Sequence, residues 1–335
     1  MPFLEESRQN LTKLMLYGAV IGFVYGLAVR IGIQRHNLPS WLGVMSVAFV
    51  LVVPFVMGFL TVFIAERDQS MPGWYWVVLP WIPLFGALAA TGVLLIEGLI
   101  CLAMFAPIGM GCASLGGILG GFLGRVARGH RSTDVIAGCI LFLPLLVGPW
   151  EQQILYSHEI HETKTYIDIN APAEIIWSNI QRVPKIETTE LPTSWSHRIG
   201  FPDPVEATLS FEGVGGVRHA TFAGGVLFIE NVDIWEPQRR LAFSIHAQTD
   251  RIPNTTLDEH VRIGGPFFDV LRGEYRLEPL GSGIIRLHLS SQHRESTDFN
   301  WYARIWADAI MADLQQRILH VVKSRCEHTM TSAGG

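Results

Sequence analysis

Charge almost vanishes from the first 150 residues of this 335-residue chain, and that scarcity limits what they can fold into more than any other feature. The segment holds eight Lys or Arg (Arg8, Lys13, Arg30, Arg35, Arg67, Arg125, Arg128, Arg131) and six Asp or Glu (Glu5, Glu6, Glu66, Asp68, Glu97, Asp134). Between these charges lie five apolar runs, near 14–33, 41–64, 75–96, 99–124 and 133–150. A helix of about 20 apolar residues crosses the ~30 Å hydrocarbon core of a bilayer. Residues 1–150 therefore read as a polytopic α-helical transmembrane bundle of about five spans. Trp41, Trp74, Tyr75, Trp76 and Trp150 fall at run ends, where amphipathic rings favour the membrane interface. The first run follows a mixed-charge start and precedes further runs, so it reads as a span and not as a cleaved signal peptide.

The fourth run carries two ridges of small residues at four-residue spacing. One is Cys112, Gly116, Gly120 and Gly124, and the other is Gly109, Ala113, Gly117 and Gly121. Such ridges let another helix approach closely. The first expectation is packing inside the bundle, and the alternative is a homo-oligomer formed through this Gly-rich span. Glu97-Gly98 is the polar place where the chain turns between the third and fourth runs. No run holds paired charges of the kind an ion or proton path needs, so transport is the weakest of the functional readings. Six basic residues (Arg8, Lys13, Arg67, Arg125, Arg128, Arg131) fall on one side of five spans and two (Arg30, Arg35) on the other. That bias puts the N-terminus in the cytoplasm and, with an odd count, the C-terminal half outside. A bacterial inner membrane is the expected location. Were 133–150 not to cross, the C-terminal half would be cytoplasmic.

Residues 151–335 are different in kind. They hold 17 Lys or Arg against 24 Asp or Glu, a formal charge of −7, which excludes the electrostatic footprint of a nucleic-acid binder. Cys326 is their only cysteine, so no disulfide forms among them. Residues 151–162 read as a linker. In it His158-Glu159-Ile160-His161-Glu162 spaces its histidines three apart, not the four of a helical zinc motif, and a solvated linker is the expected reading. Alternation through Thr165–Asn170 predicts a strand. Asn170 before Ala171-Pro172 and Glu174 predicts a helix start with Asn170 as N-cap. Strands follow at 205–212, 216–223, 226–236, 239–248, 270–278 and 283–293, separated by turn residues, with a long loop at 249–269. Tyr302, Ile305, Trp306, Ala309, Ile310, Leu314, Ile318, Leu319 and Val322 follow the spacing of a core-facing helix over 299–326.

The order of one strand, a short helix, six antiparallel strands and a long last helix resembles the START-like (SRPBCC) superfamily. Local matches are INAPAEIIW at 169–177, GVGGVRHATFAGG at 213–225, VDIWEPQRRLAFSI at 232–245, GEYRLEPLGSGIIRL at 273–287 and WYARIWADAIMADLQQRILHVVK at 301–323. They are similar to the polyketide cyclase/dehydrase-like branch, including members fused to N-terminal membrane spans. The resemblance implies an α+β helix-grip domain over 163–326, whose curved antiparallel sheet grips the C-terminal helix around an apolar cavity. A tail over 327–335 is expected to be disordered.

Strand alternation sets Glu230 on one face with the apolar Phe228, Val232 and Ile234, and sets Ser291 and His293 with Ile285, Leu287 and Leu289. A carboxylate on an apolar face must be protonated, paired or bound to a ligand. Arg218 and His293 are its candidate partners. Arg218, Phe228, Glu230, Phe243, Tyr275 and Trp306 are the candidate ligand-binding residues, and Glu230, His293 and Tyr275 the candidate catalytic ones. His219, His246 and His260 read as surface or hydrogen-bonded histidines. No Ser-His-Asp arrangement, Walker loop, dinucleotide fingerprint or cysteine-based metal site is visible, so neither cofactor nor metal is expected. The leading functional expectation is a membrane-anchored domain that binds a lipid or other apolar small molecule without catalysis. The alternative is a cyclase or dehydratase acting on a polyketide-like substrate with Glu230 as acid/base.

Overall fold

A computed structural model describes residues 2–33, 45–128, 133–151, 158–248 and 262–333. Arg35, Trp41, Arg131, His260 and most of the expected loop 249–269 lie outside the described residues. The chain divides into two compact units, Met1–Tyr156 and Ser157–Gly335.

The first unit is helical. Helix α1 spans Pro2–Ile33, and a π-helical turn at Ala48–Val52 leads into α2, Val53–Asp68. Short α3 (Tyr75–Val78) precedes α4 (Trp81–Val93), and α5 runs over Leu99–Val126. Among the described residues, four stretches are long and apolar enough to cross a membrane: Gln9–Gly32, Ala48–Asp68, Tyr75–Val93 and Leu99–Val126. The fifth expected span is broken. It forms α6 (Thr133–Leu141) and α7 (Leu143–Glu151), each of nine residues. Pro144 explains the break at Phe142, because it has no N–H to donate to the Ile140 carbonyl four residues back and its ring crowds that carbonyl.

Helices α2 and α5 pack through the glycine ridges. A Cβ on Gly116 would stand 1.8 Å from the Phe55 carbonyl oxygen, and one on Gly120 2.5 Å from that of Phe59. The other ridge faces α3 and the start of α4. A Cβ on Gly117 would stand 2.1 Å from the Trp76 carbonyl oxygen, and one on Gly121 2.3 Å from the Trp76 ring. Both ridges are thus occupied within the chain.

Paired charges, not foreseen from the runs, close both ends of this helical set. Arg30 near the end of α1 binds Glu97 before α5 (Nε to Oε1, 2.6 Å). At the far end of α5, buried Glu66 of α2 accepts from Arg125 Nε (2.8 Å), Arg128 Nη2 (2.7 Å) and Trp76 Nε1 (3.0 Å). A buried carboxylate is tolerated only when paired and hydrogen-bonded in this way. The pairs join helix ends to one another and form no chain of groups along a helix.

The second unit holds a curled sheet of seven antiparallel strands in the order β1-β7-β6-β5-β4-β3-β2. The strands are β1 Glu159–Asn170, β2 Pro204–Leu209, β3 Val217–Phe222, β4 Leu227–Glu236, β5 Arg240–Gln248, β6 Phe268–Gly281 and β7 Ile284–Glu295. Short α8 (Ala173–Gln181) and α9 (Trp195–Arg198) lie between β1 and β2, and α10 (Asn300–Ala333) closes the chain. Wholly buried Ile169, Ile176, Ile180, Leu241, Leu287 and Leu319 build its core. A sheet of this order around one long helix fits the helix-grip arrangement.

Three boundaries differ from expectation. Residues 159–162 are not linker but the start of β1, because Glu159–Glu162 pair with Gln292–Glu295 of β7. Helix α10 continues to Ala333, through most of the expected tail. Asn170 does not cap α8. Pro172 holds that position without a side-chain bond, and the Asn170 backbone N–H donates instead to Glu327 of α10 (3.2 Å).

Candidate functional site

Between the concave face of the sheet and α10 lies a cavity of about 80 Å3. Its walls are Phe228, Phe243, Ile245, Val270 and Leu289 from the sheet and Met311, Leu314 and Ile318 from α10. Gly273 shapes one wall, since a Cβ there would stand 2.5 Å from the Phe243 ring.

Into this apolar space the sheet inserts one charged pair. Arg218 of β3 and Glu230 of β4 are register partners, each only 4% exposed, and Arg218 Nη1 donates to Glu230 Oε2. Tyr275 of β6, also buried, lines the cavity with them and interacts electrostatically with Arg218. The guanidinium lies 5.4 Å from the centroid of the Phe243 ring, a cation–π placement. Burial pushes the Glu230 carboxyl above the usual carboxylate range, against the opposing pull of Arg218. Burial raises the Tyr275 phenol in the same way. Burial works against the Arg218 charge, but Glu230 and Tyr275 outweigh it and raise the guanidinium further. The Arg218 Nε has no hydrogen-bond partner among the described residues and is buried. An unmet donor at such depth is costly unless something accepts from it.

Across the cavity, Gln315 of α10 is held from both sides of its amide. Thr165 donates to Oε1 (2.9 Å), while Nε2 donates to the Thr163 carbonyl oxygen (3.1 Å) and Ser291 Oγ (3.0 Å). Gln315 and Ser291 both line the cavity. Gln315 had no sequence signal beyond a polar residue in the helix's apolar stripe.

The expected residues divide. Arg218, Phe228, Glu230, Phe243 and Tyr275 line the cavity. Trp306 is not part of the lining and packs instead 6.2 Å from Trp195 of α9, ring centroid to ring centroid. His293 is wholly buried beyond the cavity, with its Nε2 3.0 Å from Glu295 Oε1, so it is no partner of Glu230.

The structure also assembles serine, histidine and aspartate where none was expected together. Ser194 Oγ lies 2.8 Å from His197 Nδ1, and His197 Nε2 lies 3.1 Å from Asp203 Oδ1. Ser194 and Ser196 both donate to Asp313 of α10, and Arg317 of α10 binds Asp203 (2.6 Å). A nucleophilic hydroxyl must be reachable and free to attack. Here Ser196 is wholly buried, and Ser194 caps α9. The set fastens segment 194–203 to α10.

No family model matches the chain, and no curated protein matches it. Solved structures do. The Zhui aromatase/cyclase from Streptomyces sp. R1128 is 16% identical over 53% of this chain and 99% of its own, with a TM-score of 0.32. A START superfamily protein from Mycobacterium smegmatis is 10% identical over 50% of this chain and 99% of its own, with a TM-score of 0.33. Norcoclaurine synthase from Thalictrum flavum is 13% identical over 50% of this chain and 87% of its own, also at 0.33.

Proposed function

We propose that the second unit binds an apolar small molecule that bears one oxygen acceptor, and that the first unit anchors it to a membrane, the bacterial inner membrane by expectation. The observation that carries this is the buried Arg218 Nε, without a hydrogen-bond partner among the described residues, in a cavity walled mostly by aliphatic and aromatic groups. Apolar walls with a few convergent polar groups are the ordinary makeup of a ligand site. Glu230 neutralises the guanidinium charge, so a carbonyl, ester or hydroxyl oxygen suits the remaining donor better than a second full anion. At about 80 Å3 the cavity is well below the ~300–1,000 Å3 of drug-sized sites, so a lipid enters only if the walls part.

The test is mass spectrometry of small molecules carried by the full chain after detergent extraction. An apolar oxygen-bearing compound should accompany the wild type and be lost from Arg218→Met. Retention of the same compound by that variant removes Arg218 from the site. Proton transfer is the second reading, favoured by the upward shift of the Glu230 carboxyl, which makes it a stronger proton acceptor than an ordinary carboxylate. In that case the carried compound is converted by wild type, and Glu230→Gln binds it unchanged.

A further inference from the structure

Helical spacing assigns Tyr302, Ile305, Trp306 and Ala309 to the core-facing stripe of α10, and the structure sets them on its outer side. Trp301 is 66% exposed, Ile305 61% and Trp195 of α9 40%, while Tyr302 and Trp306 are half-buried and Ala309 is exposed. The side turned to the core holds Ala307, Ile310, Met311 and Leu314 instead. At 3.6 residues per turn, the five outer residues 301, 302, 305, 306 and 309 fall within about 140° of arc. Arg304 and Asp308 lie to one side of that arc, so its first turns carry no charge. Trp195 extends the patch, with its ring centroid 6.2 Å from that of Trp306. Ser194 and Ser196, on either side of Trp195, both donate to Asp313 of α10, which fixes the ring against the helix. Apolar side chains exposed singly need no explanation, but a contiguous patch marks a surface that something covers.

Two observations say what covers it. The first is where the chain enters the second unit. Residues 152–157 alone separate the end of α7 from His158. His158 Nδ1 lies 2.8 Å from Ser296 Oγ, just ahead of α10, and Thr163 of β1 donates to Asp308 (3.0 Å). The patch therefore sits at the end of the unit to which the first unit is joined. The other end of α10 is held elsewhere, with Cys326 Sγ 3.9 Å from the Ile175 carbonyl oxygen of α8. Twenty residues of helix, ~30 Å, separate Cys326 from Trp306. The second observation is the chemistry of the patch. Trp and Tyr rings are the side chains that favour the headgroup level of a bilayer. Arg198 at the end of α9 and Arg304 are exposed beside them, where a guanidinium complements an anionic headgroup.

We infer that the outer side of the first turns of α10, with Trp195, docks the second unit on the surface of a lipid bilayer. Trp301 and Ile305 enter the boundary between headgroups and acyl chains, and Trp306, Tyr302 and Trp195 rest at headgroup level. Shallow entry suffices, since an interfacial helix buries its apolar side only ~5–10 Å deep. One helix then carries the lipid contact on its outer side and the cavity wall, Met311 and Leu314, on its inner side. The cavity is set about one helix diameter, ~10–12 Å, from the bilayer. The inference rests on the reading that the first unit anchors the chain to a membrane. It stands whether or not Arg218 is the ligand's anchor.

The test follows the five tryptophans of the second unit, Trp177, Trp195, Trp235, Trp301 and Trp306. The full chain is labelled with fluorotryptophan, placed in nanodiscs of phosphatidylcholine and phosphatidylglycerol, and read by fluorine resonance, each signal being assigned by substitution with Phe. A nitroxide on the lipid headgroup should erase the Trp301 and Trp306 signals. It should leave those of Trp177 and Trp235, whose rings pair 5.1 Å apart at the α8 end of the unit. Trp301→Gln combined with Ile305→Gln should bring the Trp306 signal back. Both side chains are exposed, and unchanged Trp177 and Trp235 signals show that the fold is kept. Survival of all five signals in the wild type overturns the docking surface, and so does a loss of Trp306 that persists in the double variant. A Trp301 signal that ignores the nitroxide but shifts when a disc holds two chains also overturns it, since a second copy then covers the patch. A chain that stays outside the discs overturns the anchoring reading and this surface together, whereas one that enters them and keeps its signals overturns this surface alone. If the double variant does not fold, the wild-type contrast between the two ends of α10 decides.

Discussion

Glu230 and Arg218 define the residue scale. Two buried groups that could each destabilise the unit are held by each other, and removing one leaves the other without a counter-charge. Glu230→Gln should lower the unfolding free energy by about 3 kcal/mol, the usual effect of breaking a buried pair from one side. Replacing both with Met and Leu should restore most of that loss, because the desolvation of both charges goes with them. Urea denaturation of the two variants checks this, and an unaffected Glu230→Gln would show that the pair carries no stability. His197 provides a pH prediction. Burial first, then the positive Arg317, holds its pKa below the ordinary histidine value. The folded state therefore favours neutral imidazole. Its contribution is full above the ordinary value and is lost as pH falls through that value toward the folded one. The urea midpoint should thus fall on acidification below about pH 6.5, and His197→Gln should flatten that slope.

At the scale of elements, helix α5 shows how far a pattern in the sequence reaches. Four-residue glycine spacing announces a closely approached helix, and the contact is with α2 on one ridge and α3–α4 on the other. Gly116→Ala should destabilise the first unit by ~1–3 kcal/mol through overpacking. Gly111→Ala, where a Cβ meets nothing within 4 Å, should leave it unchanged. Thermal unfolding in detergent compares the two, and equal melting temperatures would mean that the ridge is not tightly packed. The strands of the sheet and the last helix were legible for the same reason, since alternation and helical spacing are properties of neighbouring residues. Phe228, Glu230 and Phe243 were legible because alternation along β4 and β5 reveals the faces they share, whereas Arg218 was legible only as a possible partner for the Glu230 carboxylate. The chain from Glu159 to Glu162 was not legible. Its charged, histidine-rich text lacks apolar alternation, and its place in β1 depends on β7, more than a hundred residues later. The Ser194, His197, Asp203 and Asp313 set was hidden similarly, because α10 brings Asp313 to residues from a distant loop. Ion pairs at helix ends in the first unit escaped notice because each charge alone reads as a loop residue.

For the whole molecule, if the first unit spans a membrane as proposed, the number of crossings decides which side holds the cavity. Among the described residues four helices are long enough. Helices α6 and α7, at nine residues each, are about 14 Å long, and neither alone spans ~30 Å of hydrocarbon. Five crossings place the second unit opposite the N-terminus, and four place it on the same side. Arg8, Lys13, Arg67, Arg125, Arg128 and Arg131 still share one side under the four-helix count, with Arg30 and Arg35 on the other. Basic residues collect in the cytoplasm. The four-crossing count therefore predicts a cytoplasmic second unit, where the five-run reading predicts an outside one. Cysteine labelling of intact bacterial cells tests the parity. Ser282, exposed in the turn between β6 and β7, is a suitable reporter. In a chain with Cys101, Cys112, Cys139 and Cys326 replaced, Ser282→Cys should resist a membrane-impermeant maleimide until the cells are permeabilised. Labelling before permeabilisation would mean that α6 and α7 together make a fifth crossing, and that the ligand site faces the outside.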